Sequence, residues 1–390
     1  MRREAGATQF LAQGFSKAGG PLGRQDVPRK MTRRAPGLAV RPPTGHRASA
    51  STLTGIAAQA GVSVSTVSKV LNGRTDVAPA TRERVGRILR RHGYQPGASA
   101  GFGVVDLLIG KGDCPSPTAG VHSPWAEELI SGTVEAAGEA EHSVVVTPVG
   151  SPADFDRWLA LATVRGTNGA LSVLHLPRGE ELHRLAAAGI PVVVIDPAEE
   201  PGAGVMSVGT TNWQGGLTAT RHLTELGHSR IAAIGGSAHL WSSRARLDGY
   251  RAALMEAGLP VDDELVCRDT FSVTGGRQQA MQLLGLADPP TAIVAGNDAQ
   301  AFGVLQALRE LRLRAPDDVS VVGFDDVPVA AWAAPPLTTV RQPLAAMAAT
   351  AFRMLRASDA DPAAQAHHME LATTLVVRDS TAPPPRLRRP

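Results

Sequence analysis

Residues 52–73 read TLTGIAAQAGVSVSTVSKVLNG, and this stretch decides the character of the N-terminal part. Thr52 can cap a helix whose apolar face is Leu53, Ile56, Ala57 and Ala60, and Gly61 then offers a left-handed stop. Ser63 caps a second helix over 64–72, with Val67, Val70 and Leu71 inward at helical spacing and Asn72-Gly73 ending it. Small alanines let the two helices cross closely around the Gly61-Val62-Ser63 turn, the layout of a helix-turn-helix. The outward face of the second helix is Ser65, Thr66, Ser68, Lys69 and Asn72. Short hydroxyls, an amide and a cation suit a helix laid in the major groove of duplex DNA, where they meet phosphates and base edges. An ordinary helical hairpin with a solvated face would show the same periodicity, so the charge around it matters.

That charge is uneven. Residues 51–100 hold seven Lys/Arg against two Asp/Glu, residues 1–50 hold ten against two, and the chain as a whole is only +3, so the body beyond residue 100 carries −10. A basic end on an acidic body points to one module for a polyanion and another for something else. A third helix follows the pair: Pro79 sits at its first position, Val85, Ile88 and Leu89 face inward, and Gly93 stops it. Residues 1–50, rich in Arg, Gly, Pro, Ala and Thr without periodicity, read as a disordered basic extension in which Met31 offers an alternative translation start.

Beyond residue 103 the pattern alternates. Apolar runs at Val104–Ile109, Val144–Val149, Ala170–Leu174, Val192–Ile195, Ile231–Ile234, Thr291–Ala295 and Val319–Phe324 read as buried strands. Amphipathic stretches at Trp125–Ala140, Gly179–Ala188, Gln214–Leu226, Arg244–Ala257 and Ala299–Leu311 read as helices. Continuous apolar strands alternating with helices predict doubly wound α/β structure, parallel sheets covered on both faces. The stretch is long for one such sheet, which favours two similar lobes.

Two cysteines, Cys114 and Cys267, make neither a disulfide framework nor a four-ligand zinc site, and no H-x-x-x-H pair occurs. No run approaches the ~18–20 apolar residues of a bilayer span, and the N-terminus lacks the pattern of a signal peptide. A cytoplasmic, nucleoid-associated protein with no membrane partner, no metal and no cofactor is expected. Gly235-Gly236-Ser237 after a strand lacks the lysine and spacing of a phosphate loop. Nothing requires a catalytic reading.

The segment 52–73, with Ala80-Thr-Arg-Glu-Arg-Val85, Gly93-Tyr-Gln-Pro96 and the motifs of the second part named below, closely resembles the lactose/galactose-repressor (LacI-type) family of bacterial transcription regulators, over roughly Thr52 to Thr381. The resemblance implies a homodimer whose headpieces, residues 51–96, read a pseudo-palindromic double-stranded operator. After a short hinge at 97–102 it implies a periplasmic-binding-protein-like sensor over 103–382, with a tail at 383–390. One lobe would hold 103–209 and 341–368, the other 210–340 and 369–382, including a C-terminal strand Leu371–Val377. The family's DNA contacts fall on Thr52, Ser63, Val64, Ser65, Thr66, Ser68, Lys69 and Asn72, with Val64 and Ser65 at the positions that vary with operator sequence. Departures carry consequences. Lys69 replaces the usual arginine fork by a point charge. Gly55 removes the acidic partner of a capping box with Thr52, and Ala78 replaces a serine cap. The hinge, Tyr94-Gln-Pro-Gly-Ala-Ser-Ala-Gly-Phe-Gly103, lacks the family's minor-groove leucine, which predicts less DNA bending and more reliance on phosphates.

In the second part, Ser123-Pro-Trp125, Val208–Gly216, His222–His228, Ser243–Tyr250, Gly296-Asn-Asp298, Asp318–Asp326 and Pro335–Pro343 carry the resemblance. Asn297 and Asp298 follow one strand, Asp325 another, and Arg246 lies in the early turns of a helix after a third, where open α/β sheets bind ligands. The resemblance places effector contacts on Trp125, Ser242, Arg246, Phe271, Asn297 and Asp325. An arginine fork, a carboxylate, an amide and aromatics suit a small hydroxyl-rich effector, a sugar. Structural roles stand beside these: Trp125 as core packing, Asn297-Asp298 as a helix cap, Asp325-Asp326 as loop ligands. The family's acidic residue after Ala170–Leu174 is unmatched, the loop reading His175-Leu-Pro-Arg178. A sequence-specific regulator, a repressor released or recruited by its effector, is therefore expected. A cytosolic sugar-binding or transport component is the alternative; it explains the body but not Thr52–Gly93. An enzyme on a doubly wound fold is weaker still.

Overall fold

A computed structural model describes residues 53–71, 77–91, 103–110, 122–174, 177, 179–201, 204–358 and 367–385. Expectations on residues 1–50 and Met31, on Thr52, Asn72 and Gly73, on Gly93 and the 97–102 hinge with Phe102, on Cys114, and on the His175 and Arg178 ends of the loop after Leu174 fall outside them.

Three helices form the headpiece: α1 (Leu53–Ala60), α2 (Val64–Leu71) and α3 (Pro79–Arg91). Gly61 adopts φ +62°, the left-handed turn that a side chain resists, and the amide of Val62 closes the helix end on Ala57. Ser63 then accepts from the amide of Thr66 and caps α2. The shared core is Ile56, Ala57, Ala60, Val67, Val70, Val77, Val85 and Leu89. So small a core gives about 1.5–3 kcal/mol for each large side chain buried, which leaves the headpiece sensitive to any loss of packing.

The body holds two six-stranded sheets. The first-lobe elements are β1 (Gly103–Gly110), α4 (Pro124–Glu139), β2 (His142–Val149), α5 (Pro152–Arg165), β3 (Gly169–Val173), α6 (Gly179–Ala188), β4 (Val192–Ile195) and β5 (Met206–Thr210). The chain then crosses into the second lobe with α7 (Asn212–Glu225), β6 (Ile231–Gly235), α8 (Trp241–Glu256), β7 (Val266–Arg268), α9 (Val273–Leu284), β8 (Ala292–Ala295), α10 (Asp298–Glu310), β9 (Ser320–Asp325) and β10 (Thr338–Arg341). It returns through α11 (Leu344–Ser358) and β11 (His368–Leu371), and crosses a last time to β12 (Thr374–Val376). Strand order is β11-β5-β4-β3-β1-β2 in one sheet and β12-β10-β9-β8-β6-β7 in the other. All pairings are parallel except β10 with β12.

Each sheet is covered on both faces, as uninterrupted apolar strands demand. In the first, residues of α4 and α11 such as Leu129, Met347 and Phe352 pack on Leu107 and Val193, while Phe155, Trp158 and Leu185 cover Leu108 and Ala170 from the opposite side. In the second, α9 and α10 cover one face and α7 and α8 the other. Asp106, wholly buried on β1, is held by Arg165 at 2.5 Å and by the Thr167 hydroxyl at 2.7 Å, so that its charge is paired inside the lobe.

The structure corrects one sequence expectation here. The single C-terminal strand Leu371–Val377 is two strands: His368–Leu371 continues the first sheet beside β5, and only Thr374–Val376 joins the second. The first lobe therefore extends to Leu371 and does not end at 368. The cause is a mostly exposed segment, His-Met-Glu-Leu, in which alternation rather than an apolar run marks the strand.

Candidate DNA interface and effector cleft

On α2 the apolar residues Val67 and Val70 are buried, and Ser63, Val64, Ser65 and Lys69 lie exposed, with Thr66 and Ser68 half-buried. The hydroxyl of Ser63 lies 2.8 Å from those of both Ser65 and Thr66, which gathers three hydroxyls at the helix N-terminus. No acidic residue stands in the first turn of α2 and Lys69 sits in the last. The end carrying the positive helix dipole is thus free of competing carboxylates and fit to meet phosphate. Val64, 41 % exposed at the leading edge, offers an apolar contact such as a thymine methyl would accept. Six of the eight sequence-assigned contacts are therefore brought onto one face or its N-terminal turn.

The cleft is built around Arg246. It stands on α8, which crosses α7 at unusually short range: a Cβ on Gly216 would overlap the Arg246 carbonyl, and one on Gly249 would overlap that of Trp213. That approach sets the guanidinium beside the first residue of α7. Its Nε donates to Asn212 Oδ1 at 2.8 Å and its Nη1 to the Gly296 carbonyl at 2.7 Å, with Asp325 Oδ1 at 3.8 Å. The guanidinium lies 3.8 Å from the centroid of the Phe324 ring and 5.7 Å from that of Phe271. Phe271 in turn covers the backbone of Gly236, where any side chain would displace it.

Asp325 ends β9 at φ +124° and is 5 % exposed. It accepts from Gln342 Nε2 at 2.7 Å, and Gln342 accepts from the Thr210 hydroxyl at 2.8 Å. This chain of bonds ties β9 to two of the crossings between lobes. Burial pushes the Asp325 carboxyl up to about 7, against the opposing pull of Arg246 and the Gln342 hydrogen bond. Burial likewise raises Asp298, reinforced by the nearby Asp325, although Thr339 and the Val327 amide both donate to it. Arg246 is lowered by burial, with Asp325 and Asp196 opposing.

The sequence-assigned effector residues divide. Arg246, Asp325 and Phe271 converge. The Asn297 side chain caps α10 through the Gln300 amide at 2.9 Å, and it is the carbonyl before it that meets Arg246. Trp125, half-buried in the first turn of α4 behind the Ser123 cap, packs against the first-lobe core. Ser242 is buried facing a separate groove with Trp213 and Trp241. Asn212 and Gln342, the direct partners of Arg246 and Asp325, were not singled out from sequence, although both stand in the quoted motifs at the lobe crossings. Among the described residues no group of His, Cys, Asp and Glu could hold a metal ion, and no helix is long and apolar enough to cross a membrane.

Comparison with known proteins agrees with both modules. Residues 52–97 match the family model of bacterial regulatory proteins of the lacI family, and residues 220–381 match that of a periplasmic binding protein-like domain. Among curated relatives, the transcriptional regulator DegA of Bacillus subtilis is 31% identical over 339 residues, 85% of this chain and 98% of its own. The ribose operon repressor of Escherichia coli is 32% identical over 340 residues, 85% and 99% of the two chains. Among solved structures, the regulator CelR in complex with cellobiose is 32% identical with a TM-score of 0.64, covering 84% of this chain and 99% of its own. The lac repressor dimer bound to operator and an anti-inducer is 26% identical with a TM-score of 0.62, over 85% and 99%. With both modules in this order and such identity across nearly the whole of these relatives, the chain belongs to the lacI family of bacterial regulatory proteins and is a DNA-binding transcriptional regulator, not an enzyme.

Proposed function

We propose that this regulator is a cytoplasmic homodimeric repressor whose α2 helices read an operator through Ser63, Val64, Ser65, Thr66, Ser68 and Lys69, with Thr52 and Asn72 completing the contact, and whose effector is a sugar held at Arg246. The observation that carries the effector half is the buried Arg246 fork between Asn212, Asp325 and two phenyl rings. Its Nε and Nη1 are taken by Asn212 and Gly296, so that it fixes one wall of the neighbouring interlobe groove of about 380 Å³, lined by Asp196, Asn212, Trp213, Trp241, Ser242 and Glu370, whose carboxylates, amide, hydroxyl and indoles complement a pyranose or furanose edge. The relatives support the class: one is named for ribose and one is solved with cellobiose. Because Asp325 and Gln342 connect to the lobe crossings, a bound sugar favours one lobe arrangement over another, and with it one spacing of the two headpieces on half-sites ~34 Å apart.

Fluorescence anisotropy of a labelled duplex from the region upstream of the gene tests this, titrated with the protein and then with ribose, glucose, galactose, cellobiose and maltose. One of these sugars shifts operator affinity by about tenfold or more in the wild type. Arg246→Lys keeps the charge but loses the fork, so it binds the duplex normally and loses that response. Operator binding indifferent to every sugar in the panel sinks the effector half and leaves the DNA-binding half standing.

A further inference from the structure

Arg246 is held on one side by Asn212 and on the other by the Gly296 carbonyl, and the second of these has a support of its own. Behind Gly296 stands Gln300, in the first turn of α10 and wholly buried. We propose that Gln300 is a positioning residue for the effector response: without lining the groove, it locks together three loops that set the Gly296 carbonyl and the Phe271 ring around the guanidinium. This role rests on the reading of Arg246 as the residue that shapes the effector site.

Three strand ends meet at the Gln300 side chain. Its Nε2 donates to the Gly235 carbonyl at the end of β6 and to the Thr270 carbonyl in the loop before α9, each at 3.1 Å. Its Oε1 accepts from the Gly296 amide just beyond β8, also at 3.1 Å. Both hydrogens of Nε2 are thereby used, and the orientation is fixed, since the reversed amide would set an oxygen against two carbonyls. Thr270 immediately precedes Phe271, and Gly235 immediately precedes Gly236, over which the Phe271 ring lies. One side chain therefore holds both the backbone that carries the ring and the floor that the ring covers. At Gly296 the groups converge: a Cβ there would lie 2.9 Å from Gln300 Oε1 and 3.0 Å from Phe271 Cε1.

The side chain springs from a rigid base. Asn297 caps α10 by accepting from the Gln300 amide at 2.9 Å, and a Cβ on Gly276 of α9 would overlap the Gln300 carbonyl, so the start of α10 is closely set against α9. A site is held in a productive geometry by residues whose own rotamers are locked by packing and hydrogen bonds, and Gln300 meets both conditions.

Satisfying buried backbone groups is not its task. The Gly235 carbonyl already accepts from the Asp269 amide at 3.0 Å and the Thr270 carbonyl from the Ser272 amide at 2.7 Å, while the Gly296 amide also donates to the Ile234 carbonyl at 2.7 Å. Removing the side-chain amide leaves none of these groups orphaned, and methionine, an apolar chain of similar length, fills the same space. What is lost is the tie that keeps the loops of Gly235, Thr270 and Gly296 in one register. Loops free to shift by more than about 0.5 Å draw the Gly296 carbonyl from Arg246, and the guanidinium then no longer fixes Asn212 on the wall of the groove.

Hydrogen exchange of the full chain, read by mass spectrometry, tests this on Gln300→Met beside operator titrations with ribose, glucose, galactose, cellobiose and maltose. Exchange is expected to be about tenfold or more faster than in the wild type in peptides over residues 266–275 and 293–299, and unchanged over 247–256 and 319–325. Operator affinity without sugar stays that of the wild type, and the sugar that shifts it binds about tenfold or more weakly. Equal exchange of the two loops in variant and wild type overturns the proposal. So does faster exchange throughout the second lobe, which makes Gln300 a residue of the fold alone, and so do loosened loops with an unchanged sugar affinity. Arg246→Lys is expected to lose the sugar response while exchange over 266–275 stays that of the wild type; faster exchange there would make the guanidinium, not Gln300, the support of the loops. If no sugar of the five acts on the wild type, the sugar reading of Arg246 falls, and exchange of the two loops by itself upholds or overturns the positioning by Gln300.

Discussion

Asp325 joins the candidate effector site to the stability of the whole fold. Its carboxyl titrates near 7 in the folded protein against 3.8 for the free group, chiefly through burial. The folded state thus binds the proton more tightly than the unfolded chain. Its contribution to stability is fully present below pH 3.8 and is lost as pH rises through about 7. We expect the difference in unfolding free energy between wild type and Asp325→Asn to move against the wild type between those limits, with a slope of at most about 1.4 kcal/mol per pH unit. Urea denaturation of both proteins at pH 5, 6, 7 and 8 measures it, and parallel curves would place the Asp325 charge in a better-solvated setting than its burial suggests. Residues of this kind are only partly legible in a sequence. Arg246 and Asp325 stand where strand-end logic looks for ligands. Asp196 follows a strand equally well, but nothing in its neighbours reveals that it is buried at the lobe boundary, near enough to Arg246 for that charge to oppose the upward push of burial on its carboxyl. That placement depends on how the two lobes meet.

At the scale of elements, the contact of α7 with α8 positions the cleft, and two glycines make it possible. Gly216 faces the Arg246 carbonyl and Gly249 faces the backbone of Trp213 and Leu217, with no room for a methyl group at either. The obstruction is backbone, which cannot rotate aside as a side chain would. Gly249→Ala should therefore destabilise the second lobe by about 1–3 kcal/mol and draw Arg246 away from Asn212, weakening sugar response even at temperatures where the protein stays folded. Thermal unfolding and sugar titration of that one variant check both halves, and a melting temperature equal to that of the wild type would mean that the helices separate freely. The elements themselves were legible unevenly. Apolar runs such as Val192–Ile195 and Ile231–Ile234 read directly as strands. Met206–Thr210, Val266–Arg268 and Thr338–Arg341 do not, being short and carrying Ser, Thr or Arg. Polar side chains in them are satisfied by distant partners: Thr339 by Asp298, and Thr338 by the Arg378 carbonyl and the Thr381 hydroxyl. Long-range bonding of that sort overrides local propensity, and no window of sequence contains it.

For the whole molecule the governing quantity is the division of charge, +5 over residues 51–100 against −10 over the body beyond residue 100. The headpiece is drawn to DNA and the body repelled by it, so orientation at long range is electrostatic before any base is read. Lys69 and the hydroxyls at the start of α2 are short reachers, and a lysine in place of an arginine fork adds charge without bidentate selectivity. Phosphate contact should then carry a large share of affinity, and log K for the operator should fall steeply and linearly with log salt, by about 0.9 per phosphate neutralised. Lys69→Ala should reduce that slope by about 1 per headpiece while weakening binding to specific and nonspecific duplexes alike, if Lys69 meets a phosphate. Ser65→Ala should leave the slope unchanged and lower only the preference for the operator. Anisotropy titrations from 50 to 300 mM salt, about a sixfold range, separate the two effects because counterion release acts on one and base readout on the other. A Lys69→Ala protein with the slope of the wild type but relaxed operator preference would move Lys69 from the phosphates to a guanine edge, and would assign the charge attraction of the headpiece to Arg82, Arg84 and Arg87 on α3.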